Sequence, residues 1–237
     1  MRPTAVRSLV CLLALSSVAL SQVRERIITV FIAPTPGVPF TATMTTEFQR
    51  KTADGTTVTV HNRRAIARDN LGRVLQERAT FVPADKESRI TAFDVEDPIE
   101  HVRYMCRLAE KRCIETNYRG GDAKVVNADN ADNMSGGNVQ KLGTKTISGL
   151  EVEGIRRSWQ IPAGAVGNDR PIVITHETWF SPKLGFNIEV TRSDPRTGTE
   201  HFLLSDISES EPDPKLFEVP AGFSVSDVRK TANPAGQ

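Results

Sequence analysis

The sequence predicts a mainly β protein with antiparallel strands, and three observations lead to this fold class. Apolar and polar residues alternate with a period of two over several stretches, as in strands with one buried face. Turn-forming Asp, Pro and Gly residues separate these stretches at short intervals. Helical spacing of apolar residues is scarce beyond residues 1–21. The strands are therefore expected to follow one another as a meander of hairpins.

The clearest alternation opens the N-terminal half of the chain. One face carries Phe40, Ala42, Met44, Thr46 and Phe48. A three-residue loop ending at Gly55 keeps the next strand in phase, since a two-residue loop would turn its apolar residues to the wrong face. This loop pairs Phe48 with Val60. The following turn is expected to align Ile66 with Leu75.

Three further strands joined by two turns are predicted between residues 170 and 207. Their apolar face carries Ile172, Ile174, His176, Phe180, Ile188, Val190 and Leu203. The first turn places His176 beside Val190, and the second places Leu203 beside the same residue. A strand at 148–161 precedes them, with a change of phase and a bulge expected at Gly154.

Cys106 and Cys113 are the cysteines that remain beyond residues 1–21. In a helix their Cα atoms would be about 10.5 Å apart, at 1.5 Å per residue, too far for a disulfide. A hairpin that turns at Ala109-Glu110 sets them opposite each other. We predict one helical turn near Pro98 and then a hairpin with a Cys106–Cys113 disulfide. The alternative is a helix with two free thiols.

Residues 1–21 have the pattern of a secretory signal peptide. Arg2 and Arg7 precede an apolar run, 9–20, that is too short to span a bilayer. Small residues place the cleavage before Gln22. We expect an exported protein, periplasmic or extracellular, with no transmembrane segment once the signal peptide is removed.

Composition limits the function classes that remain. The chain has 30 Lys+Arg and 29 Asp+Glu in all, and Arg2 and Arg7 are the charged residues of the signal peptide. The acidic and basic residues that follow it are therefore nearly balanced. This balance argues against a nucleic-acid partner. We expect a single antiparallel β domain over 22–223 and a flexible C-terminal tail over 224–237. Residues 120–145, which are rich in Asn, Asp and Gly, are expected to be a mobile loop.

Motifs for chemistry are weak throughout the sequence. The 120–145 loop lacks the alternating acidic ligands of a calcium loop, and no histidine has a partner at metal-ligand spacing, so neither a metal nor a cofactor is predicted. His176 with Glu177 is the one pair that could serve a hydrolase. Neighbouring residues of a strand point to opposite faces, which weakens that hypothesis.

The C-terminal sequence IPAGAVGNDRPIVITHETWFSPKLGFNIEVTRSDPRTGTEHFLLSDI, followed by EPDPKLFEVPAGF, resembles secreted proteins of unknown function from Gram-negative soil bacteria. In the N-terminal half, ADGTTV and ARDNLGRVLQE are similar to hairpins of the same family. The signal peptide, the meander and the closing Leu-Phe-x-x-Pro-x-Gly-Phe segment are more distantly similar to the periplasmic lipoprotein-carrier and sigma-regulator sensor (LolA-like) superfamily. This resemblance implies a single antiparallel, strongly curved sheet, an open half-barrel with few short helices, whose concave apolar face receives acyl chains.

Three functions follow as hypotheses. The first is a non-catalytic module that binds a lipid or a lipidated protein, with an acyl chain or a lipoprotein as partner. Its expected contact residues are Phe48, Val60, Ile172, Ile174, His176, Phe180, Ile188, Val190 and Leu203. The second is a cell-envelope structural or interaction domain with a dry core, and the third is a hydrolase using His176 and Glu177. The sequence does not separate the first two, and it leaves the ligand and the oligomeric state open.

Overall fold

The computed structural model describes residues 32–118 and 137–229. The predicted signal peptide lies outside these ranges. A 3-10 helix, Pro214–Phe217, begins after its cap Asp213, as the Asp-Pro sequence predicts. The strands are β1 (Phe40–Lys51), β2 (Thr57–Arg68), β3 (Val74–Ala79), β4 (Val82–Pro83), β5 (Ile90–Asp97), β6 (Val102–Arg107), β7 (Arg112–Asn117), β8 (Asn138–Ile147), β9 (Leu150–Ile161), β10 (Ile172–Ser181), β11 (Phe186–Asp194), β12 (Gly198–Ser208) and β13 (Ser224–Asp227).

All the strands belong to one sheet. Its order is β13-β7-β6-β5-β3-β2-β1-β12-β11-β10-β9-β8, with β4 paired to β2 beside this path. Neighbouring strands are antiparallel except β13, which runs parallel to β7. The sheet ends at β13 and β8 and is not closed into a barrel. The predicted fold class, a mainly β protein with one open antiparallel sheet and few short helices, is confirmed.

Hydrogen bonds between distant strands show that the sheet is strongly curved. Ser148, in the turn between β8 and β9, donates from Oγ to the carbonyl of Leu204 on β12 at 3.2 Å. In a flat sheet, β9 and β12 would be about 14 Å apart, three spacings of about 4.8 Å. Arg68 on β2 likewise reaches the carbonyl of Leu184, beyond β10. We call the face that carries Phe40 and Arg68 the inner face, because the sheet curves toward it.

The larger apolar core fills one end of the inner face. Its central members are fully buried because side chains from β1, β2, β11 and β12 close over one another. The core consists of Ile32, Phe40, Ala42, Met44, Ile66, Val74, Leu150, Val152, Trp179, Leu184, Phe186, Ile188, Phe202 and Leu204.

The cysteine hairpin is confirmed. Cys106 on β6 lies directly opposite Cys113 on β7, and the two form a buried disulfide. They belong to a second core with Phe93, Val95 and Phe217. The helical turn predicted near Pro98 is wrong. This segment is a turn that the side chain of Asp97 closes by accepting the backbone N–H groups of the two residues after Pro98.

The predicted register of the first hairpin is confirmed, and that of the second is wrong by one residue. Phe48 lies opposite Val60, and Gly55 adopts a φ of +85° in the three-residue loop. In the next hairpin Leu75 lies opposite Ala67 instead of Ile66. The reason is a second three-residue loop, closed by a bond from the Asp69 N–H to the Arg73 carbonyl.

The C-terminal hairpins also differ in register from the prediction. His176 lies opposite Arg192 instead of Val190, because Ile188 is an extra residue on β11. Val190 lies opposite Phe202, since only three residues separate the paired ends of β11 and β12. Leu203 is thereby shifted to the outer face, where it is not beside Val190 as predicted.

The change of phase expected at Gly154 is present. In the first part of β10 the even-numbered residues Ile174 and His176 are buried. In its last part the odd-numbered residues Trp179 and Ser181 are buried. The irregular pairing lies on the flanking strands β8 and β11, while β9 pairs with β10 without interruption. Glycine is required at 154 because an added Cβ would lie 2.5 Å from the Trp179 ring.

Two predicted irregular segments contain strands. The segment 138–145, expected to belong to the mobile loop, forms most of β8. The first residues of the expected flexible tail, Ser224–Asp227, form β13. Residues 120–136 of the loop and 230–237 of the tail lie outside the described residues.

Candidate functional site

One row of paired residues crosses the inner face of the five central strands. It runs from His176 through Arg192, Glu200 and Phe48 to Val60, each directly opposite the next. Directly paired residues of an antiparallel sheet point to the same side. Residues of β10 and β2, more than a hundred positions apart in sequence, therefore share this face.

The structure brings most of the predicted contact residues together on the inner face. We call this set the apolar face: Phe48, Val60, Ile172, Ile174, His176, Ile188 and Val190. Two predicted residues fall elsewhere. Leu203 lies opposite Thr45 on the outer face, and Phe180 follows the change of phase and pairs with the exposed Glu153. Seven of the nine residues predicted for the apolar face therefore lie on the inner face.

Burial divides the apolar face into two parts. Ile174 and Ile188 are 2% and 0% exposed and belong to the filled interior. Four residues remain partly exposed, and we call them the open part: Phe48, Val60, Ile172 and Val190. It continues onto β9, where Trp159 and Ile161 lie opposite Ile174 and Ile172. A ligand could contact the open part without displacing the core.

A buried polar cluster that the sequence analysis missed adjoins the open part. It consists of Thr46, Asn62 and Arg64, all nearly inaccessible to solvent. Arg64 Nη1 donates to Thr46 Oγ1 at 3.2 Å and to the side-chain oxygen of Asn62. Burial and the charge of Arg78 lower the pKa of Arg64 to about 10, against the opposing effect of Glu200. Arg64 therefore stays charged at neutral pH.

A second buried arginine, Arg68, has a structural role at the other end of the same strand. Its guanidinium donates to the carbonyls of Val38, Ala33 and Leu184 at 2.7–2.9 Å. It also stacks on Phe40, 5.2 Å from the ring centroid. Burial lowers its pKa to about 10. Arg68 thus ties the chain before β1 and the turn after β10 to the core.

The candidate hydrolase pair is not assembled. His176 points to the inner face, and Glu177 points to the outer face by strand alternation. There Glu177 accepts hydrogen bonds from Arg156 Nη2 at 2.7 Å and Trp179 Nε1 at 2.9 Å. Both carboxylate oxygens of Glu177 are therefore engaged in interactions that hold the outer face together.

A charged network on the outer face surrounds Glu189. This carboxylate accepts from Lys145 at 2.7 Å and contacts His201 Nε2 at 2.9 Å. Burial raises its pKa, but the hydrogen bonds and charges of these two residues outweigh that effect and leave the pKa lowered. The ammonium of Lys145 also lies 3.8 Å from the Trp179 ring centroid. The network stabilises the β8–β11 region where the phase changes.

A groove of about 810 Å³ lies between the β1–β2 and β11–β12 loops. Its charged residues include Arg50, Lys51 and the bonded pair Asp194 and Arg196. Hydrogen bonds from Arg196 lower the pKa of Asp194 despite its burial. No residue of the apolar face lines this groove, so it is separate from the candidate site.

Within residues 32–118 and 137–229, no group of three His, Cys, Asp or Glu side chains is arranged to hold a metal ion. Across the same ranges, no helix is long and apolar enough to cross a membrane.

Comparisons with known proteins give similarities at the level of the fold. No protein-family model matches the chain, and no curated protein is similar to it in sequence. An uncharacterized conserved protein from Thermus thermophilus aligns with 10% identity and a TM-score of 0.44, over 80% of this chain and 90% of that one. MucB of Pseudomonas aeruginosa, in its complex with MucA, aligns with 11% identity and a TM-score of 0.41, over 78% of this chain and 56% of that one.

A LolA superfamily protein from Nitrosomonas europaea is also similar, with 10% identity and a TM-score of 0.32, over 79% of this chain and 92% of that one. None of these TM-scores reaches 0.5, so the function is argued from the residues of this chain.

Proposed function

We propose that the protein is an exported, non-catalytic module that binds a lipid or a lipidated protein on the inner face of its curved sheet. The acyl chain would lie on the open part of the apolar face, Phe48, Val60, Ile172 and Val190. Export to the periplasm or the cell exterior is supported by the signal-peptide pattern of residues 1–21 and by the Cys106–Cys113 disulfide, which is typical of oxidising compartments.

The observation that carries the proposal is the incomplete burial of the apolar face. Phe48 and Val60 face each other on β1 and β2, and both stay partly exposed although they lie on the side toward which the sheet curves. Partly exposed apolar side chains on a concave surface are the usual lining of sites for apolar ligands. An acyl chain would remove this surface from water.

The buried residues of the apolar face favour a second candidate function. Ile174 and Ile188 are buried, and Ile188 belongs to the larger core together with Phe202 and Leu204. If the whole inner face were closed in this way, the protein would be a cell-envelope structural or interaction domain with a dry core. The two functions differ in whether the open part takes up an apolar chain.

Two adjacent positions of β10 provide a matched test. Ile172 lies on the open part, whereas Val173 points to the opposite face and is 49% exposed. We expect Ile172→Asp to weaken the binding of palmitic acid or a diacylated lipopeptide about tenfold, because a carboxylate would have to be buried against the chain. Val173→Asp should leave binding unchanged. Isothermal titration of the mature protein measures both.

Equal affinities of the wild type and the two variants would place the ligand elsewhere. If the wild type takes up neither palmitic acid nor the lipopeptide, the dry-core function replaces the proposed one.

A further inference from the structure

Arg64 lies on the inner face two rows of paired residues from the open part of the apolar face. It is opposite Met44 on β1, and its partner Asn62 is two residues before it on β2 and opposite Thr46. The next pair along these two strands is Phe48 and Val60. The charged side chain of Arg64 is only 6% exposed, and its partners Thr46 and Asn62 adjoin the partly exposed apolar surface.

One edge of the Arg64 guanidinium is unused. Nη1 is engaged by Thr46 and Asn62, whereas Nε is buried and has no hydrogen-bond partner among the described residues. Within residues 32–118 and 137–229, no carboxylate lies within ion-pair distance of Arg64. The charge of Glu200 raises the pKa of Arg64 and so favours its charged form. A buried cation whose hydrogen bonds go only to neutral groups is costly, so this arrangement favours an incoming anion.

Arg68, four residues after Arg64 on β2, differs from it in its hydrogen bonds. Its Nε, Nη1 and Nη2 groups all donate to carbonyl oxygens. The fold therefore satisfies one buried arginine of β2 completely and leaves the Nε of the other buried and without a hydrogen-bond partner. The Nε edge of a guanidinium, with the neighbouring Nη2, matches the two oxygens of a carboxylate or phosphate.

We propose that Arg64 binds the anionic head group, a carboxylate or a phosphate, of an amphiphile whose chain lies on the open part of the apolar face. This inference rests on the proposed function and adds the chemical class of the ligand. Thr46 and Asn62 hold the guanidinium in place, and the head group bonds to its free edge.

The test compares two ligands with the same chain, dodecyl phosphate and 1-dodecanol, by isothermal titration of the mature protein. We expect the phosphate to bind at least tenfold more tightly than the alcohol, because a charge-assisted bidentate contact is added. Arg64→Met should remove this preference. Arg63→Met is the matched control, since Arg63 is the neighbouring arginine, points to the other face and pairs with Asp206.

Each outcome bears on a different claim. Equal binding of phosphate and alcohol to the wild type would overturn the head-group role of Arg64 while the binding module stands. Binding of neither ligand would overturn both. Inorganic phosphate that competes as well as dodecyl phosphate would contradict a chain on the apolar face. If Arg64→Met fails to fold, equal binding of the two ligands to the wild type would still overturn the proposal, and Arg64→Lys, which keeps the charge, should retain part of the preference.

Discussion

At the scale of single residues, the two buried arginines of β2 differ in how fully their donors are bonded. Arg68 is 0% exposed and replaces water around three backbone carbonyls that would otherwise be buried without a donor. Arg64 has a donor edge left over. The first residue stabilises the fold, and for the second we propose a role in ligand binding.

Replacing Arg68 should damage the fold itself. We expect Arg68→Met to lower the free energy of unfolding by about 3–5 kcal/mol, since three carbonyls lose a charged donor in the interior. Denaturant unfolding followed by circular dichroism measures the change. Arg63→Met, at a side chain that is 63% exposed, should stay within about 0.5 kcal/mol of the wild type. A loss at Arg68 as small as that at Arg63 would contradict the structural role.

The sequence indicates that both arginines lie in the interior, but it does not indicate which of them has a partner for every donor. Asn62, Arg64 and Arg68 occupy the same alternating positions of β2 as Val60 and Ile66, which is a visible signal that polar groups enter the interior. The carbonyl partners of Arg68 come from segments up to 116 residues away. Because strand alternation holds no information on such distant partners, the satisfied arginine could not be told from the unsatisfied one.

At the scale of elements, glycine-containing loops decided how well register could be predicted. The loop ending at Gly55 was recognised as a three-residue loop, and the β1–β2 pairing is confirmed. The loop ending at Gly72 has the same length and a φ of +84°, so the same rule would have placed Leu75 correctly. The extra residue Ile188 on β11 lies where the pairing shifts between Trp179 and Phe180, and it has no local signal in the sequence.

The cysteine hairpin is the element whose contribution can be measured most directly. The bond between Cys106 and Cys113 closes a short loop whose ends are seven positions apart in sequence. We expect the double variant Cys106→Ala/Cys113→Ala to lose about 2–3 kcal/mol of unfolding free energy, because its unfolded chain is less restricted. Thermal unfolding of the variant and of the reduced wild type should agree. An unchanged midpoint in both would contradict a stabilising disulfide.

At the scale of the whole molecule, hairpins could be predicted and the sheet order could not. Sequence patterns indicated the meander of neighbouring strands, whereas the pairing of β1 with β12 joins positions at least 150 residues apart. That pairing puts Phe48 beside Glu200 and completes the inner face. The sequence therefore predicted that seven of the nine residues share a face, but it did not predict the buried polar cluster next to them.

The central claim is that the inner face holds an apolar chain in the exported protein. Native mass spectrometry of the mature protein, purified gently from an exported source and followed by organic extraction, tests it most directly. We predict a discrete additional mass that extraction releases as an amphiphile with an anionic head group. A bare polypeptide mass that takes up neither added fatty acid nor lipopeptide would contradict the claim and leave an interaction domain with a dry core.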